Sequence, residues 1–376
     1  MNGFSVEESR VVENVKMKVI GVGGGGGNMI DHMVREGHKK VELISANTDL
    51  QALDNSLAEI KIQLGVKKTA GKGAGTDPEV GKEAAKESYD EIKDRLEYTD
   101  IVFIAAGFGG GTGTGASPII AQAAKENGAL TIGVVTTPFN FEGKRRFEVA
   151  KKWIEELKKE CDSILVIPNE KLNSLIDKKA GIKDAFKIVD DVLVHAVNGM
   201  ISIVLESGKS DMNVDFEDVK TVMRFRGLAL MGIGSSSGEG AAVEAVKNAI
   251  QSPLLDNVNI NGAKGIIANF KMHPDHPFFD FNEAGILIRD SADEGANVVI
   301  GTITDPDIKD FKVEVTIIAT GFESNEEIKK TSGTTNINDI KEKTIDTIRE
   351  RRKVSGGYDE DFDILDLPTY QRNGLD

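Results

Sequence analysis

Three glycine clusters, Gly23 to Gly27, Gly71 to Gly75 and Gly109 to Gly115, constrain this chain more than any other feature. Residues without a Cβ, gathered in one place, mark backbone that must approach something closely. The first cluster follows the apolar run Met17 to Val22 and precedes a helical pattern from about Asn28 to Glu36. The last follows Ile101 to Ala106 and precedes a helical pattern from Pro118 to Glu126. Strand, glycine turn, helix is the unit from which parallel sheets are built.

The alternation continues through strands at Val41 to Ala46, Ile60 to Leu64, Leu130 to Thr136 and Ser163 to Pro168, with a helix over Pro78 to Leu96. Strands apolar on both faces belong to a sheet covered on both sides. Ile182 to Leu205 is apolar on nearly every face, which predicts a buried helix between two domains, with His195 a satisfied core residue. A second pattern then begins: a helix near Asp215 to Arg224, a strand at Leu228 to Gly232, a helix over Glu239 to Gln251, and strands near Ile266 to Phe270, Asn297 to Ile303 and Phe311 to Thr320. The expected fold class is α/β: an N-terminal parallel-sheet, Rossmann-like domain, a long central helix, a smaller C-terminal α/β domain and a disordered tail. The expected boundaries are 1–12 for a flexible N-terminus, 13–181, 182–206 for the central helix, 207–321, 322–362 for a polar linker, and 363–376 for a terminal peptide whose apolar residues return after an acidic run.

With 46 basic against 61 acidic residues, the formal charge of −15 repels nucleic acid and anionic lipid as a whole surface. Any anion must therefore be held locally. The single cysteine, Cys161, rules out an intramolecular disulfide and reads as a small buried hydrophobe. No secretory leader pattern opens the chain and no uncharged apolar run approaches the roughly 20 residues of a membrane span, so a cytoplasmic location is expected. His273 to Pro277 reads as a surface turn rather than a metal site.

Gly21, Gly23 and Gly26 satisfy G-x-G-x-x-G, and Asp49 follows the second strand, so an NAD-dependent oxidoreductase is one reading. One Rossmann unit needs only one glycine turn, however. Further glycine loops on the same sheet point to a cradle for several phosphates, built from backbone N–H groups and helix N-termini, with Thr112 and Thr114 adding hydroxyls. No Walker loop occurs; the GKS at Gly208 to Ser210 lacks its first glycine.

GGGTGTG at Gly109 to Gly115 resembles the signature of the tubulin/FtsZ family, whose FtsZ members are bacterial division GTPases. Asn47 to Asp49 (NTD), Thr136 to Arg146 (TTPFNFEGKRR), Ile167 to Asn169 (IPN), Asp184 to Phe186 (DAF) and Asn213 to Asp218 (NVDFED) occur in the family's order, and the resemblance spans residues 13–321. It implies a GTP-binding N-terminal domain, a GTPase-activating C-terminal domain, and GTP or GDP as ligand with Mg²⁺ held mainly by phosphates and water. It implies phosphate contacts from Gly24, Gly25, Gly26, Gly27 and Asn28 and from Gly110, Gly111, Thr112, Gly113 and Thr114, with Asn47 beside them. Glu142 and Arg146 would engage the ribose and phosphate region; Asn28, Asn169 and Asp190 would read guanine, and Phe186 would stack on it. Amide and carboxylate groups suit the guanine edge and a ring suits its face.

Alone, Asn213, Asp215 and Asp218 read as a helix cap with first-turn acids. The resemblance instead makes them catalytic, inserted into the nucleotide site of the next subunit of a head-to-tail homopolymer. The central helix is consistent with this, because its 24 residues span about 36 Å and separate the acids from the glycine loops. The segment Asp363 to Arg372 resembles the family's tail, implying docking to membrane-tethering and regulatory division proteins through Ile364, Leu365, Leu367 and Tyr370 at the division site near the inner membrane face.

Overall fold

The computed structural model describes residues 15–322 apart from 38–40, 174–175, 178, 206–211, 213, 226, 253 and 256–261. The expected N-terminal segment 1–12, the linker beyond Phe322 and the terminal peptide lie outside the described residues.

The first half of the chain alternates as expected. β1 (Met17–Val22) leads to α1 (Gly23–Glu36), β2 (Glu42–Asn47), a short α2 (Leu50–Asn55), β3 (Ile60–Gln63) and a single turn α3 (Val66–Thr69). Then come α4 (Pro78–Glu87), α5 (Tyr89–Arg95), β4 (Ile101–Gly107), α6 (Thr112–Glu126), β5 (Leu130–Thr137), α7 (Lys144–Glu160), β6 (Ser163–Pro168) and the one-turn α8 (Asn169–Leu172). The long α9 (Ile182–Leu205) joins this half to α10 (Phe216–Met223), β7 (Leu228–Ser236), α11 (Ala241–Ile250), β8 (Gly265–Met272), α12 (Phe278–Asp290), β9 (Asn297–Thr304) and β10 (Val313–Thr320).

All ten strands share one sheet in the order β3-β2-β1-β4-β5-β6-β7-β10-β8-β9. Every pairing from β3 to β7 is parallel, whereas β10 runs antiparallel to both β7 and β8, and β8 and β9 are parallel again. The two halves meet at a narrow seam, where β6 and β7 share only the pairs Ile164↔Leu228 and Leu165↔Ala229.

Successive residues of a strand face opposite ways, and the cores follow that period. Ile20, Val22, Ile104 and Ala106 point to a core beneath α4 to α7. Val19, Phe103, Ala105, Val134 and Leu165 point to the other face, against α1, α9 and α10, in a cluster that continues into Met231, Ile267 and Ile318 of the second half. A third cluster lies under α11 and α12, around Phe270 and Val315. By length and composition α9 could cross a bilayer, but Val189, Val192, Leu193, Val197 and Met200 are buried in the shared core. It is not buried all round: Ile182, Phe186 and His195 are exposed, so His195 is a surface residue and not the core residue its setting suggested.

Several boundaries differ from expectation for identifiable reasons. α1 and α6 begin inside the glycine clusters, five and six residues earlier than the helical patterns of the sequence. The helix expected over Pro78 to Leu96 breaks at Ser88, whose hydroxyl accepts the Gly65 N–H at 3.0 Å and donates to the Gln63 carbonyl at 3.2 Å. α12 has no counterpart in the expected elements. The turn at His273 to Pro277 exists, through the His276 N–H to His273 carbonyl bond, but the His276 side chain is only 2% exposed and meets Asp280 at 2.8 Å. Cys161 is buried, and burial pushes its thiol upward.

α4 starts by design of its sequence: the Asp77 side chain accepts the Glu79 N–H at 3.0 Å and Pro78 occupies the first turn. It packs so closely on α6 that a Cβ on Gly115 would land on the Pro78 carbonyl oxygen. Gly115→Ala is therefore expected to destabilise the protein by about 3 kcal/mol, read as a lowered urea midpoint, because backbone on both sides leaves no side chain to move aside.

Candidate functional site

Strand order creates the site. The chain runs from β1 outward to β2 and β3, then returns to β4 on the other side of β1 and continues to β5 and β6. At such a switch point the connections diverge above the carboxyl ends of the two central strands and leave a crevice. Val22 of β1 lies beside Ala106 of β4, and the two helices that open at the glycine clusters, α1 at Gly23 and α6 at Thr112, leave from there.

The two glycine turns touch. Gly23 has φ +71°, and a Cβ on it would come within 2.8 Å of the Gly113 nitrogen. Beside them, the Gly71 to Gly75 segment is laid along the end of β2 by the Leu50 N–H to Gly71 carbonyl bond (3.0 Å) and the Gly73 N–H to Thr48 carbonyl bond (3.2 Å). On the open side, Cβ positions of Gly24 and Gly110 would meet nothing within 4 Å. Neither α1 nor α6 has a side-chain cap or an acidic residue in its first turn. Their first N–H groups thus lack helical partners and carry the positive end of the helix dipole, as an anion site requires.

The residues singled out from the sequence fall into two groups here. Gly24, Gly25 and Asn28 are exposed, and Gly27, Gly110 and Thr112 are half-buried at the crevice. Gly26, Gly111, Gly113 and Thr114 are buried, with Gly26 packed under the Ala105 carbonyl. The Thr114 hydroxyl accepts the Gly109 N–H at 2.9 Å, which commits it to holding the loop. Thr112 Oγ1 lies 2.6 Å from Thr48 Oγ1, which gives the middle residue of the NTD motif a role that the motif alone does not state. Asn47 is buried and accepts the Asp49 N–H at 3.2 Å.

The other end of the crevice is built from the turn after β5 and the end of β6. Glu142 accepts the Phe139 N–H at 3.0 Å and forms an ion pair with Arg146 one helical turn on. Glu170, also missed, accepts the Asn140 N–H at 2.9 Å and the Asn173 amide at 2.9 Å, tying this turn to α8. Asn169 is 6% exposed and its Oδ1 has no hydrogen-bond partner. An unpaired buried carbonyl costs about 1–3 kcal/mol, which a bound donor would relieve. Phe186 is 43% exposed and meets Phe139 edge-on, centroids 5.9 Å apart at 88°. Asp190 follows four residues later, on the same side of α9. Burial pushes its carboxyl up to about 6, opposed by His32 and assisted by Asp191.

The acids lie elsewhere. Asp215 is the cap residue of α10 and Asp218 stands in its first turn, both exposed; Asn213 lies outside the described residues. Asp215 makes no side-chain capping bond. Met212, three residues before it, is hydrogen-bonded to Thr302 of β9, and β9 stands six strand spacings from β4 in the sheet, about 29 Å. The fold therefore does not bring the acids to the glycine turns of the same chain. No group of three or more His, Cys, Asp or Glu side chains able to hold a metal occurs among the described residues.

The family model for the GTPase domain of the tubulin/FtsZ family matches residues 16–177, and that for the FtsZ family C-terminal domain matches residues 227–323. The chain is 44% identical over 375 residues to the cell division protein FtsZ of Coxiella burnetii, covering 96% of each. Among solved structures, an empty FtsZ dimer of M. jannaschii superposes with a TM-score of 0.77 at 42% identity, over 82% of this chain and 89% of that one. A GTPγS-bound protofilament of CetZ2 from Haloferax volcanii has the same fold, with a TM-score of 0.71 at 18% identity over 84% of this chain and 96% of that one.

The environment of Asp190 has a measurable signature. Its folded value of about 6 lies above the ordinary 3.8, so the ionised carboxylate costs stability above pH 6 and the cost disappears as pH falls toward 4. Asp190→Asn is expected to stabilise the nucleotide-free protein by about 2 kcal/mol at pH 7–8, with the gain shrinking between pH 6 and 4 in urea titrations.

Proposed function

The chain belongs to the FtsZ family of tubulin-like GTPases, and on that footing we propose that it is a cell-division protein that assembles head to tail and hydrolyses GTP at the contact between subunits. It is a GTPase and binds GTP and GDP; the oxidoreductase alternative finds no support in its relatives. The observation that carries the proposal is the meeting of two helices that open at glycine clusters, without side-chain caps, above β1 and β4, while the segment that leads to Asp215 and Asp218 is bonded to β9 through Met212.

In this reading the α1 and α6 N-termini, with Gly24 to Asn28 and Gly110 to Thr114, surround the phosphates, and Asn47 braces the loop at their side. Glu142 and Arg146 face the ribose. The carboxylate of Asp190 accepts from guanine N1–H and N2–H, the free Oδ1 of Asn169 takes a further donor, Asn28 supplies a polar contact, and Phe186 covers the ring face. Adenine offers no donor pair on that edge, so it would leave a part-buried carboxylate unmatched. Mg²⁺, held by phosphates and water, would neutralise charge on the transferring phosphoryl group. Residues 13–181 act as the GTP-binding domain and 207–321 as the domain that activates hydrolysis, with 182–206 between them.

Asp215 and Asp218, with Asn213, then orient or activate the attacking water on a nucleotide held by another copy, because one chain cannot bring its own acids to its own cradle. A contact between two different surfaces, repeated, builds an open filament. Beyond the described residues, the linker 322–362 and the terminal peptide with Ile364, Leu365, Leu367 and Tyr370 would connect the filament to membrane-tethering division proteins at the cytoplasmic face of the membrane.

Phosphate release per molecule is expected to be near zero below a threshold protein concentration and to rise together with light scattering above it. Constant turnover at every dilution would mean that each chain is self-sufficient. Asp215→Ala is expected to lower turnover in assembled protein by at least about a hundredfold while GTP affinity of the unassembled chain stays within about twofold.

A further inference from the structure

The segment carrying Asp215 hangs from the edge of the sheet. β9 is the last strand in the order and pairs with β8 on one side only. On its other side, the Met212 N–H donates to Thr302 Oγ1 at 2.8 Å and the Thr302 N–H donates to the Met212 carbonyl at 3.2 Å. Two residues on, the Val214 side chain is buried. It lies so close to Gly301 that a Cβ there would come within 2.8 Å of Val214 Cγ2.

On the far side of Asp215, α10 is fixed by Val219, Val222 and Met223 in the core shared by both halves, and the Thr320 hydroxyl donates to the Val222 carbonyl at 2.8 Å. Asp215 sits between these two anchors, exposed and with no capping bond from its own side chain. Its direction is therefore set by the backbone on either side. Of the contacts that make the anchor at β9, the Thr302 hydroxyl is the one that a change of side chain removes while the Thr302 N–H bond to the Met212 carbonyl stays in place.

We propose that Thr302 is a positioning residue for hydrolysis: its hydroxyl and N–H hold the Met212 backbone in register against β9, so that Asp215 is presented outward at the angle another copy's nucleotide requires. The inference rests on the reading of Asp215 as the acid that completes a neighbouring site. Thr302→Val keeps the β-branched shape that suits a strand while removing the acceptor for the Met212 N–H. Displacing a catalytic group by about 1 Å can cost up to a hundredfold in rate.

The test compares wild type, Thr302→Val, Thr302→Ser, Gly301→Ala and Asp215→Ala in the full chain. It records phosphate release per pelleted subunit at saturating GTP, GTP affinity of the unassembled protein, and thermal midpoint. The expected result is a fall of about tenfold or more in turnover for Thr302→Val, with affinity and midpoint unchanged and most of the rate restored by Thr302→Ser, which keeps the hydroxyl. Gly301→Ala, which pushes Val214 from the same strand, should lower turnover in the same way, and it decides the matter if Thr302→Val melts early. Wild-type turnover in Thr302→Val and Gly301→Ala beside an inactive Asp215→Ala would overturn the role of Thr302 and leave that of Asp215 standing. Equal loss in Thr302→Ser and Thr302→Val would also overturn it. An active Asp215→Ala would remove the reading on which it rests.

Discussion

An α-helix starts with N–H groups that nothing within the helix can satisfy. Some helices answer this with a side-chain cap, as α2 does with Asp49 and α4 with Asp77. α1 and α6 do not, and they start side by side at the switch point of the sheet. Much else in the N-terminal half follows from holding those two ends together and bare. Glycine permits the contact between the turns, Thr114 ties down the loop from below, and Thr48 ties Thr112 to the end of β2. The remaining polar devices, Glu142, Glu170 and Asn169, are grouped at the ends of β5 and β6, so five parallel strands deliver one residue set each to one crevice.

The strands and the long helix were legible because they obey simple periods: continuous apolar runs for buried parallel strands, and an apolar stretch of 24 residues for α9. What local sequence could not carry was any feature decided by contact between distant segments. Glycine's poor helix propensity argued for loops where close packing in fact starts helices at Gly23 and Thr112. Ser88 broke a continuous helical pattern because its hydroxyl is engaged by the β3–α3 backbone, 23 residues away for Gly65. His195 lies in an apolar run yet points outward, because α9 buries one face only, nine of its 24 residues being buried.

The candidate site divides along the same line. Motif order named Asn169, Phe186, Asp190 and the glycine turns, and the fold supplies an unpaired carbonyl, an exposed ring and a carboxylate of raised affinity for protons at those positions. Thr48 and Phe139 stand inside the NTD and TTPFNFEGKRR motifs without a role of their own, and Glu170 stands outside them, because each acts through a backbone or side chain far away in sequence. The local hint for Glu170 was its place next to Asn169 at the close of β6. Thr302 had none, since nothing in the run of β9 shows that Met212 will lie against it.

The seam between β6 and β7 has a mechanical meaning. Two register pairs join a block of parallel strands to a block of mixed ones, while the hydrophobic cluster around α9 runs unbroken across both. Hydrogen-bonded ladders resist shear along their length, whereas packed apolar side chains tolerate small sliding. Relative movement of the two blocks would thus break few backbone hydrogen bonds, and what opposes it is the repacking of the close-packed cluster around α9.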